Sequence, residues 1–310
     1  MNRRFGLLAK MLLYILVPSV AGLLVLSGLT YRMSQDALYH QIQADSRLVL
    51  QVQSVGIHAV IEGLDDALQL EAQNNRLGNY LELYAAEGQE SLTSPMAATA
   101  DTALTEFIGI SDNISYSGLI APDGTVVAHH LRGASGPSKT VGTDFTTRAY
   151  FKEALEGKVS IKGVISLTTG LPSVVIARPV VRNNKTIGVI TLGVNNINLA
   201  NNTINRIKVG EQGFAAIFDM DGTVVMHPDS KILGRNDAGL AHVQEMLKSK
   251  EGRITYTTPA GAEKIIYFAH LPQEGWIIAL ELDHKEIYAP VEQMFANSAL
   301  TAIICILLIG

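Results

Sequence analysis

The pattern of apolar and polar positions divides the chain into a helical N-terminal part and a strand-rich remainder. Between Ser34 and Asn75, apolar residues recur at helical spacing without a proline, at Leu38, Ile42, Val49, Val52, Val60, Leu64 and Leu68. This spacing predicts one long amphipathic helix, a stalk over residues 32–75. Because one small domain cannot cover a helix of this length, we predict that its lower part pairs with a second copy, giving a homodimer.

Uncharged apolar stretches lie at both ends of the chain. Residues 11–31 carry no charge and follow the basic residues of segment 1–10, which predicts a transmembrane helix with a cytoplasmic N-terminus. A cleaved signal peptide is the alternative, but the run is longer than an ordinary signal-peptide core. Residues 293–310 predict the start of a second, truncated transmembrane helix. This topology predicts a multi-pass protein in the lipid bilayer, with the intervening chain in the periplasm.

The middle of the chain predicts an α+β fold with antiparallel sheets. Two short helices are expected within residues 77–111, and one more after the second strand. Alternating apolar residues, separated by Gly, Pro and Asn turns, predict five strands, at residues 116–121, 125–130, 159–165, 173–181 and 186–193. A helix leading into a five-stranded antiparallel sheet is a PAS-like plan, assigned to residues 76–200.

A repeat follows this first module. The sequence Asp-Gly-Thr-Val-Val at residues 123–127 recurs at residues 221–225, and His129 recurs as His227 at the same spacing of 98 residues. The second copy continues with a helix at 238–248 and strands at 253–258, 264–270 and 276–282. The repeat predicts a duplicated module over residues 201–292.

Composition limits the chemistry. The net charge is −5 without a basic run, which excludes nucleic acid as an expected partner. The single cysteine, Cys305, lies in the predicted second span, so the outer part has no disulfide. His129 and His130 lack further ligands at matched spacing, so no metal and no cofactor are expected.

Arg148 is the sharpest candidate for ligand binding. It lies in the stretch Asp-Phe-Thr-Thr-Arg-Ala-Tyr-Phe after the first hairpin, where a guanidinium in a partly dry pocket would grip a carboxylate bidentately. The alternative is a surface arginine paired with Asp144 or Glu153. Tyr150 and Phe151 are expected to wall the pocket, and ordinary packing between helix and sheet is their alternative.

A catalytic alternative arises at residues 216–223. The sequence Ala-Ile-Phe-Asp-Met-Asp-Gly-Thr has the form of the nucleophile motif of haloacid-dehalogenase-type phosphatases, with Asp219 as nucleophile and Asp221 as acid or base. That fold requires a parallel sheet of alternating strands and helices, whereas here a second strand follows at once. We therefore interpret the two aspartates as turn formers and expect no enzyme.

Taken together, the chain resembles the double Cache sensor domains of bacterial transmembrane receptors, above all methyl-accepting chemotaxis proteins. The resemblance rests on the two spans, the stalk, the Asp-Phe-x-x-Arg-x-Tyr-Phe stretch, Val-Gly-Glu-Gln-Gly-Phe at 209–214, His227-Pro228 and Gly275-Trp276. It implies a membrane-distal module that binds a small molecule directly. The signal would then pass through the stalk and the second span to cytoplasmic signalling proteins.

The resemblance also implies which residues contact a ligand. Amino-acid-binding members carry a Tyr-x-Asp pair where this chain has Val164 and Ser166, and another Asp in the region of Gly193 to Asn195. Because no acid stands at these positions here, we predict an organic acid without an α-amine. The remaining expected contacts are Lys162, as a second cation, and His130, as the histidine nearer to the pocket. The expected ligand-binding set is Arg148, Tyr150, Phe151, Ser166, Lys162, His130 and Asn195.

Alternatives in function stay open at the level of sequence. The same sensor could serve a histidine kinase or a cyclic-dinucleotide enzyme, or bind an amino acid or amine. A structural domain with an empty pocket is a further possibility.

Overall fold

A single helix, α1 (Leu7–Glu71), runs past both sheets of the protein. The computed structural model describes residues 7–134, 138–166, 170, 172–207 and 211–309. At 1.5 Å per residue, α1 is about 98 Å long. It joins the first predicted span and the predicted stalk without a break. The last helix, α7 (His284–Ile309), packs beside its N-terminal half, where the rings of Tyr31 and Phe295 lie 4.9 Å apart.

The two predicted spans lie within α1 and α7. Within the described ranges, no helix combines the length and the apolar character that crossing a membrane requires. Both spans therefore stay predictions.

The first sheet follows a pair of helices, as predicted. These are α2 (Asn75–Glu87) and α3 (Pro95–Gly109), separated by a short 3-10 segment. Side chains at both N-caps accept backbone hydrogen bonds, from Arg76 N to Asn74 and from Ala97 N to Ser94. The strands are β1 (Ile114–Ile120), β2 (Val126–Leu131), β3 (Ser160–Ile165), β4 (Pro172–Arg182) and β5 (Lys185–Val194).

These five strands form an antiparallel sheet in the order β2-β1-β5-β4-β3. Helix α4 (Ala149–Leu155) is inserted between β2 and β3. Asn183 and Asn184 join β4 to β5 with φ angles of 51° and 58°, the left-handed backbone of a tight hairpin that asparagine tolerates. We call α2, α3, α4 and β1–β5 the distal module.

The second sheet repeats this plan. Its strands are β6 (Phe214–Asp219), β7 (Val224–Met226), β8 (Glu251–Thr257), β9 (Glu263–Leu271) and β10 (Trp276–Asp283). Their order is β7-β6-β10-β9-β8, the same as in the first sheet when each strand is matched in sequence. Helix α6 (Ala241–Lys248) takes the place of α4, and α5 (Asn196–Asn202) connects the sheets. We call β6–β10 and α6 the proximal module.

Each sheet buries both faces. One face of both sheets joins a continuous core with α1, which includes Ile57, Ile61 and Leu68 of the helix. The opposite faces carry two separate small cores, one under α4 around Phe151 and one under α6 around Met246. The two cavities described below lie on these opposite faces.

Helix α1 is tied to each module by a pair of side chains, one of which is a carboxylate. Arg178 of β4 donates two hydrogen bonds to Asp65 at 2.5 and 2.6 Å. The Nδ1 atom of His58 lies 2.7 Å from the carboxylate of Glu274, whose side chain is only 3% exposed. Both pairs connect side chains far apart in sequence, so they fix each sheet against the same helix.

Candidate ligand-binding site

A small cavity lies between α4, the sheet and the end of β3 in the distal module. We call it the distal cavity; it encloses about 20 Å³, room for about one water molecule. Three of its lining residues were predicted from the sequence: Arg148, Tyr150 and Ser166. The full lining is Tyr116, His129, Thr140, Phe145, Arg148, Tyr150, Val164, Ile165 and Ser166.

Arg148 is the N-cap residue of α4 and is half-buried. Its backbone N–H donates to Phe145 O at 3.0 Å, and its guanidinium carbon lies 5.7 Å from the centre of the Phe145 ring. Among the side chains that the structure describes, none forms a salt bridge with it. Its charge is therefore available to an anion in the cavity.

The two carboxylates considered as partners of Arg148 are engaged elsewhere. Asp144 accepts a hydrogen bond from Thr146 N at 2.7 Å, and this bond holds the pKa of its carboxyl below the ordinary value. Glu153 accepts from Ser160 Oγ at 2.6 Å and pairs with Lys162 at 3.1 Å. The surface-pair interpretation of Arg148 is thus not what the structure shows.

The distal cavity has one sign of charge. Arg148 is the cation, and no described lining residue is a carboxylate. In the sequence, residues 135–137, 167–169 and 171, which lie outside the described ranges, contain no acid either. A ligand ammonium would therefore find no counter-charge here, whereas a carboxylate would.

His129 and Tyr116 form the wall on the side of β1 and β2. Their rings stack with centroids 5.2 Å apart and an interplanar angle of 28°. Burial lowers the pKa of His129 to about 4, so its imidazole is neutral at pH 7. Its Nδ1 atom is buried and has no hydrogen-bond partner in the described part of the chain. A ligand or a water in the cavity would satisfy it.

Gly193 leaves the space that the Tyr116 ring occupies. A Cβ atom at this position would lie 1.9 Å from Cε1 of Tyr116, far inside contact distance. The two residues face each other in the register of β1 and β5. The absence of an acid at this position, read from the sequence, is therefore built into the packing.

Tyr150 supplies the polar group above the cavity. The residue is 5% exposed, and burial raises the pKa of its hydroxyl to about 12. The group thus stays protonated at any physiological pH and acts as a hydrogen-bond donor. Ser166, the residue after β3, also lines the cavity.

Four residues expected at the site lie outside this lining. Phe151 packs in the core under α4, the alternative stated for it. Lys162 pairs with Glu153. Asn195 caps α5 by accepting from Asn198 N at 3.1 Å, and donates to Asp112 O.

His130 is the fourth, and here the structure reverses the sequence expectation. Its Nδ1 lies 3.2 Å from Asp101 of α3, on the sheet face away from the cavity, while His129 lines the cavity. Adjacent residues of a strand point to opposite faces, so the prediction of His130 instead of His129 differs from the structure by one residue along β2. The repeat of His129 as His227 is the signal that could have found it, because both copies line a cavity.

The phosphatase-like motif is a turn. Asp219 Oδ1 accepts hydrogen bonds from Asp221 N at 3.0 Å and Thr223 N at 2.8 Å, and β6 lies in an antiparallel sheet. In the described ranges, no three side chains of His, Cys, Asp or Glu converge as a metal site would require.

Known proteins share this architecture. A family model described as a Cache domain, dCache_1, matches residues 34–291. A probable methyl-accepting chemotaxis protein of Bacillus thuringiensis subsp. konkukian is 31% identical over 172 residues, which are 54% of this chain and 25% of that protein. The methyl-accepting chemotaxis protein PscA of Pseudomonas syringae pv. tomato is 26% identical over 170 residues, 53% of this chain and 26% of that protein. The chain matches about a quarter of the length of these relatives.

Solved structures show the same fold at low identity. The sensor domain of the V. cholerae histidine kinase DctB aligns with a TM-score of 0.62 and 17% identity, covering 78% of this chain and 98% of that one. The ligand-binding domain of Mlp24 with asparagine aligns with a TM-score of 0.58 and 20% identity, covering 82% of this chain and 99% of that one. The ligand-binding domain of the Pseudomonas fluorescens chemoreceptor CtaA in complex with L-alanine aligns with a TM-score of 0.54 and 18% identity, covering 79% of this chain and 98% of that one. With a family model matched from the stalk to the last helix, and two sheets built on one plan, this chain belongs to the Cache domain family.

Proposed function

We propose that this chain is the ligand-sensing part of a bacterial chemoreceptor and that its distal cavity binds a small carboxylate without an α-ammonium group. The observation that carries this proposal is the charge of the cavity: a half-buried Arg148 without a salt bridge to any described residue, and no acid among the described lining residues. The similarity of the sequence to two methyl-accepting chemotaxis proteins supports the chemoreceptor.

The chemistry of the wall favours a carboxylate over an amino acid. A guanidinium can donate two parallel hydrogen bonds to one carboxylate, and Tyr150 can donate a third. An α-ammonium would lose its hydration without gaining a counter-charge, which costs several kcal/mol. Solved domains of the same fold hold asparagine and L-alanine, so the distinction is open to direct test.

The size of the distal cavity makes binding a conformational event. About 20 Å³ does not hold even a three-carbon acid, so the end of β3 and the loop before α4 must separate when a ligand enters. A ligand can shift an equilibrium between two arrangements only by binding one of them better. Here the wider arrangement is the one that binds, and the change is passed to the sheet and to α1.

The same proposal places the protein in the inner membrane, with the predicted spans flanking a periplasmic sensor and α1 mediating a homodimer. Its cytoplasmic partners would be reached through a part beyond this chain. A histidine kinase is the second candidate output, because the DctB sensor domain shares the fold. A chimera with the cytoplasmic part of a methyl-accepting chemotaxis protein tests the first output directly: added propanoate should change the swimming bias of cells that express it.

The binding experiment uses two matched pairs of ligands, propanoate with L-alanine and succinate with L-aspartate, in which only the ammonium differs. Titration calorimetry of the full chain in nanodiscs should give binding of the acids and much weaker binding of the amino acids. Arg148→Ala should weaken the acids about ten- to a hundredfold. Arg148→Lys keeps the charge but loses the two-pronged contact, so it should fall between.

Equal binding of L-alanine and propanoate would contradict the acid specificity while leaving the site in place. Unchanged affinity in Arg148→Ala would remove the site itself. Lys162→Ala is the control, since this lysine pairs with Glu153 outside the cavity lining and should bind the acids as the wild type does.

A further inference from the structure

The proximal module contains a cavity of its own on the sheet face under α6. We call it the proximal cavity; it encloses about 760 Å³, the size of an ordinary small-molecule site. Its walls are mostly apolar, with aromatic rings from β6, β8 and α6. Its main lining residues are Phe214, Phe218, His227, Leu240, His242, Tyr256 and Glu281.

Backbone hydrogen bonds show that the two cavities are equivalent. Arg148 N donates to Phe145 O, as Leu240 N donates to Asp237 O. Arg148 and Leu240 are also the N-cap residues of α4 and α6. Equivalent residues are 98 positions apart in the first hairpin of each module, and 92 positions apart in the loop and helix that follow it. The proximal cavity therefore has leucine where the distal cavity has its arginine.

A second exchange places an acid in the proximal cavity. Phe214 of β6 faces Glu281 of β10, just as Tyr116 of β1 faces Gly193 of β5. The Glu281 side chain lines the cavity, and the Tyr256 hydroxyl donates to its Oε2 atom at 2.9 Å. The proximal cavity thus carries a carboxylate at the position where the distal module has no side chain.

The other charges of the proximal cavity cancel. Arg235 donates two hydrogen bonds to Asp237, each 2.7 Å long. Burial lowers the pKa of both His227 and His242, which keeps their rings neutral at pH 7. Lys264 lies near Glu281 but pairs with Asp283 at 3.1 Å. Glu281 is left as the unpaired charge of the described lining.

Glu281 has lost hydration that a ligand could replace. Burial raises the pKa of its carboxyl, whereas the bond from Tyr256 lowers it. Next to it, the Tyr256 ring stacks on His242 with centroids 4.1 Å apart. A carboxylate beside stacked aromatic rings suits a cation with an apolar body.

We propose that the proximal cavity binds a small organic cation, whose ammonium group pairs with Glu281 and whose apolar body lies against Phe214, Phe218 and Tyr256. The proposal is independent of carboxylate binding in the distal cavity, because it concerns a different set of side chains. It gives one chain two sites of opposite charge preference.

The test compares three probes of similar shape: 2-phenylethylammonium, 3-phenylpropanoate and the neutral 2-phenylethanol. Calorimetry of the full chain in nanodiscs, with empty nanodiscs as the blank, should show binding of the ammonium in preference to the other two. Glu281→Gln retains an acceptor for Tyr256 and removes only the charge, so it should weaken the ammonium about ten- to a hundredfold.

Leu240→Arg gives the proximal cavity the arginine of its distal counterpart. Leu240 is 44% exposed, so the new side chain fits without repacking the core and should weaken the ammonium further by repulsion. Arg148→Ala is the control in the other cavity and should leave ammonium binding unchanged. The proposal is overturned if 2-phenylethylammonium produces no binding heat, if 3-phenylpropanoate binds as tightly, or if Glu281→Gln binds the ammonium as the wild type does.

Discussion

The distal and proximal modules share one sheet order and one set of cavity positions, but they differ in what those positions carry. Among the described lining residues, the distal cavity of about 20 Å³ has Arg148 without an acid, whereas the proximal cavity of about 760 Å³ has Glu281 without an unpaired cation. Two exchanges, arginine for leucine and glycine for glutamate, account for the difference in charge. The fold thus fixes where each cavity lies, and a few side chains decide the charge of its lining.

The largest expected effect is the pH dependence of stability that His129 gives to the distal module. A histidine titrates near pH 6.5 in the unfolded chain, but burial lowers the native pKa of His129 to about 4. Between these values the unfolded chain holds a proton that the native state lacks, so stability falls as the pH falls. The loss should reach about 3 kcal/mol at pH 4. His227, whose pKa is also lowered by burial, contributes in the same direction.

Urea unfolding at a series of pH values measures this loss. His129→Phe keeps a ring to stack on Tyr116 and removes the titration, so its stability should depend less on pH between 6.5 and 4. The neighbouring charges of His130 and Asp101 remain in this variant and serve as the background. An unchanged slope would show that His129 is not the group responsible.

Gly193 of the distal sheet gives the next largest expected effect on stability. Gly193→Ala places a Cβ atom against the Tyr116 ring, and such overpacking should lower the free energy of unfolding by about 2 kcal/mol. In the proximal module, Glu281→Ala shortens a side chain at the equivalent position and introduces no clash. Combining Gly193→Ala with Tyr116→Ala should recover part of the loss. If Gly193→Ala unfolds at the same urea concentration as the wild type, the sheet accommodates a Cβ atom beside the Tyr116 ring and the prediction is wrong.

The attachments to α1 give the smallest effect. Asp65→Asn removes the charge that Arg178 contacts and should cost about 1.5 kcal/mol, because the pair is largely buried. The loss should be local, raising amide hydrogen exchange in β4 more than in β9. His58→Gln is the matched variant for the proximal module and should show the reverse pattern. Uniform changes in both sheets would mean that the modules do not open separately.

The sequence predicted the sheets because turn residues and strand alternation are local signals. Asn183 and Asn184 form the expected hairpin, and the repeat at residues 123 and 221 became two sheets of one order. Arg148 was predicted at the cavity because a guanidinium at a helix start beside an aromatic pair is a local pattern as well, and its binding role stays a prediction. These features depend on residues that are close in the chain.

The direction of side chains was harder to predict. A register shift between Leu119 and Ile120 in the pairing of β1 with β2 changes which residues of the hairpin face each other across the two strands. Which of two adjacent histidines faces the cavity depends on the final register, and that is set by packing rather than by sequence spacing. Glu281 was missed because its counterpart is Gly193, and a match between an acid and a residue without a side chain is invisible before the sheets are superimposed.

Helix α1 also has a mechanical consequence. His58 and Asp65 lie two turns apart on one face, so the two side-chain pairs that join α1 to the modules fall within about 10 Å of its length. From there the helix extends to Leu7 over about 77 Å. A tilt of one degree about these pairs would displace the end of the helix at Leu7 by about 1.3 Å, because that end is about 77 Å away. Leverage of this kind converts a small adjustment at either sheet into a movement comparable to the rise of a helical residue.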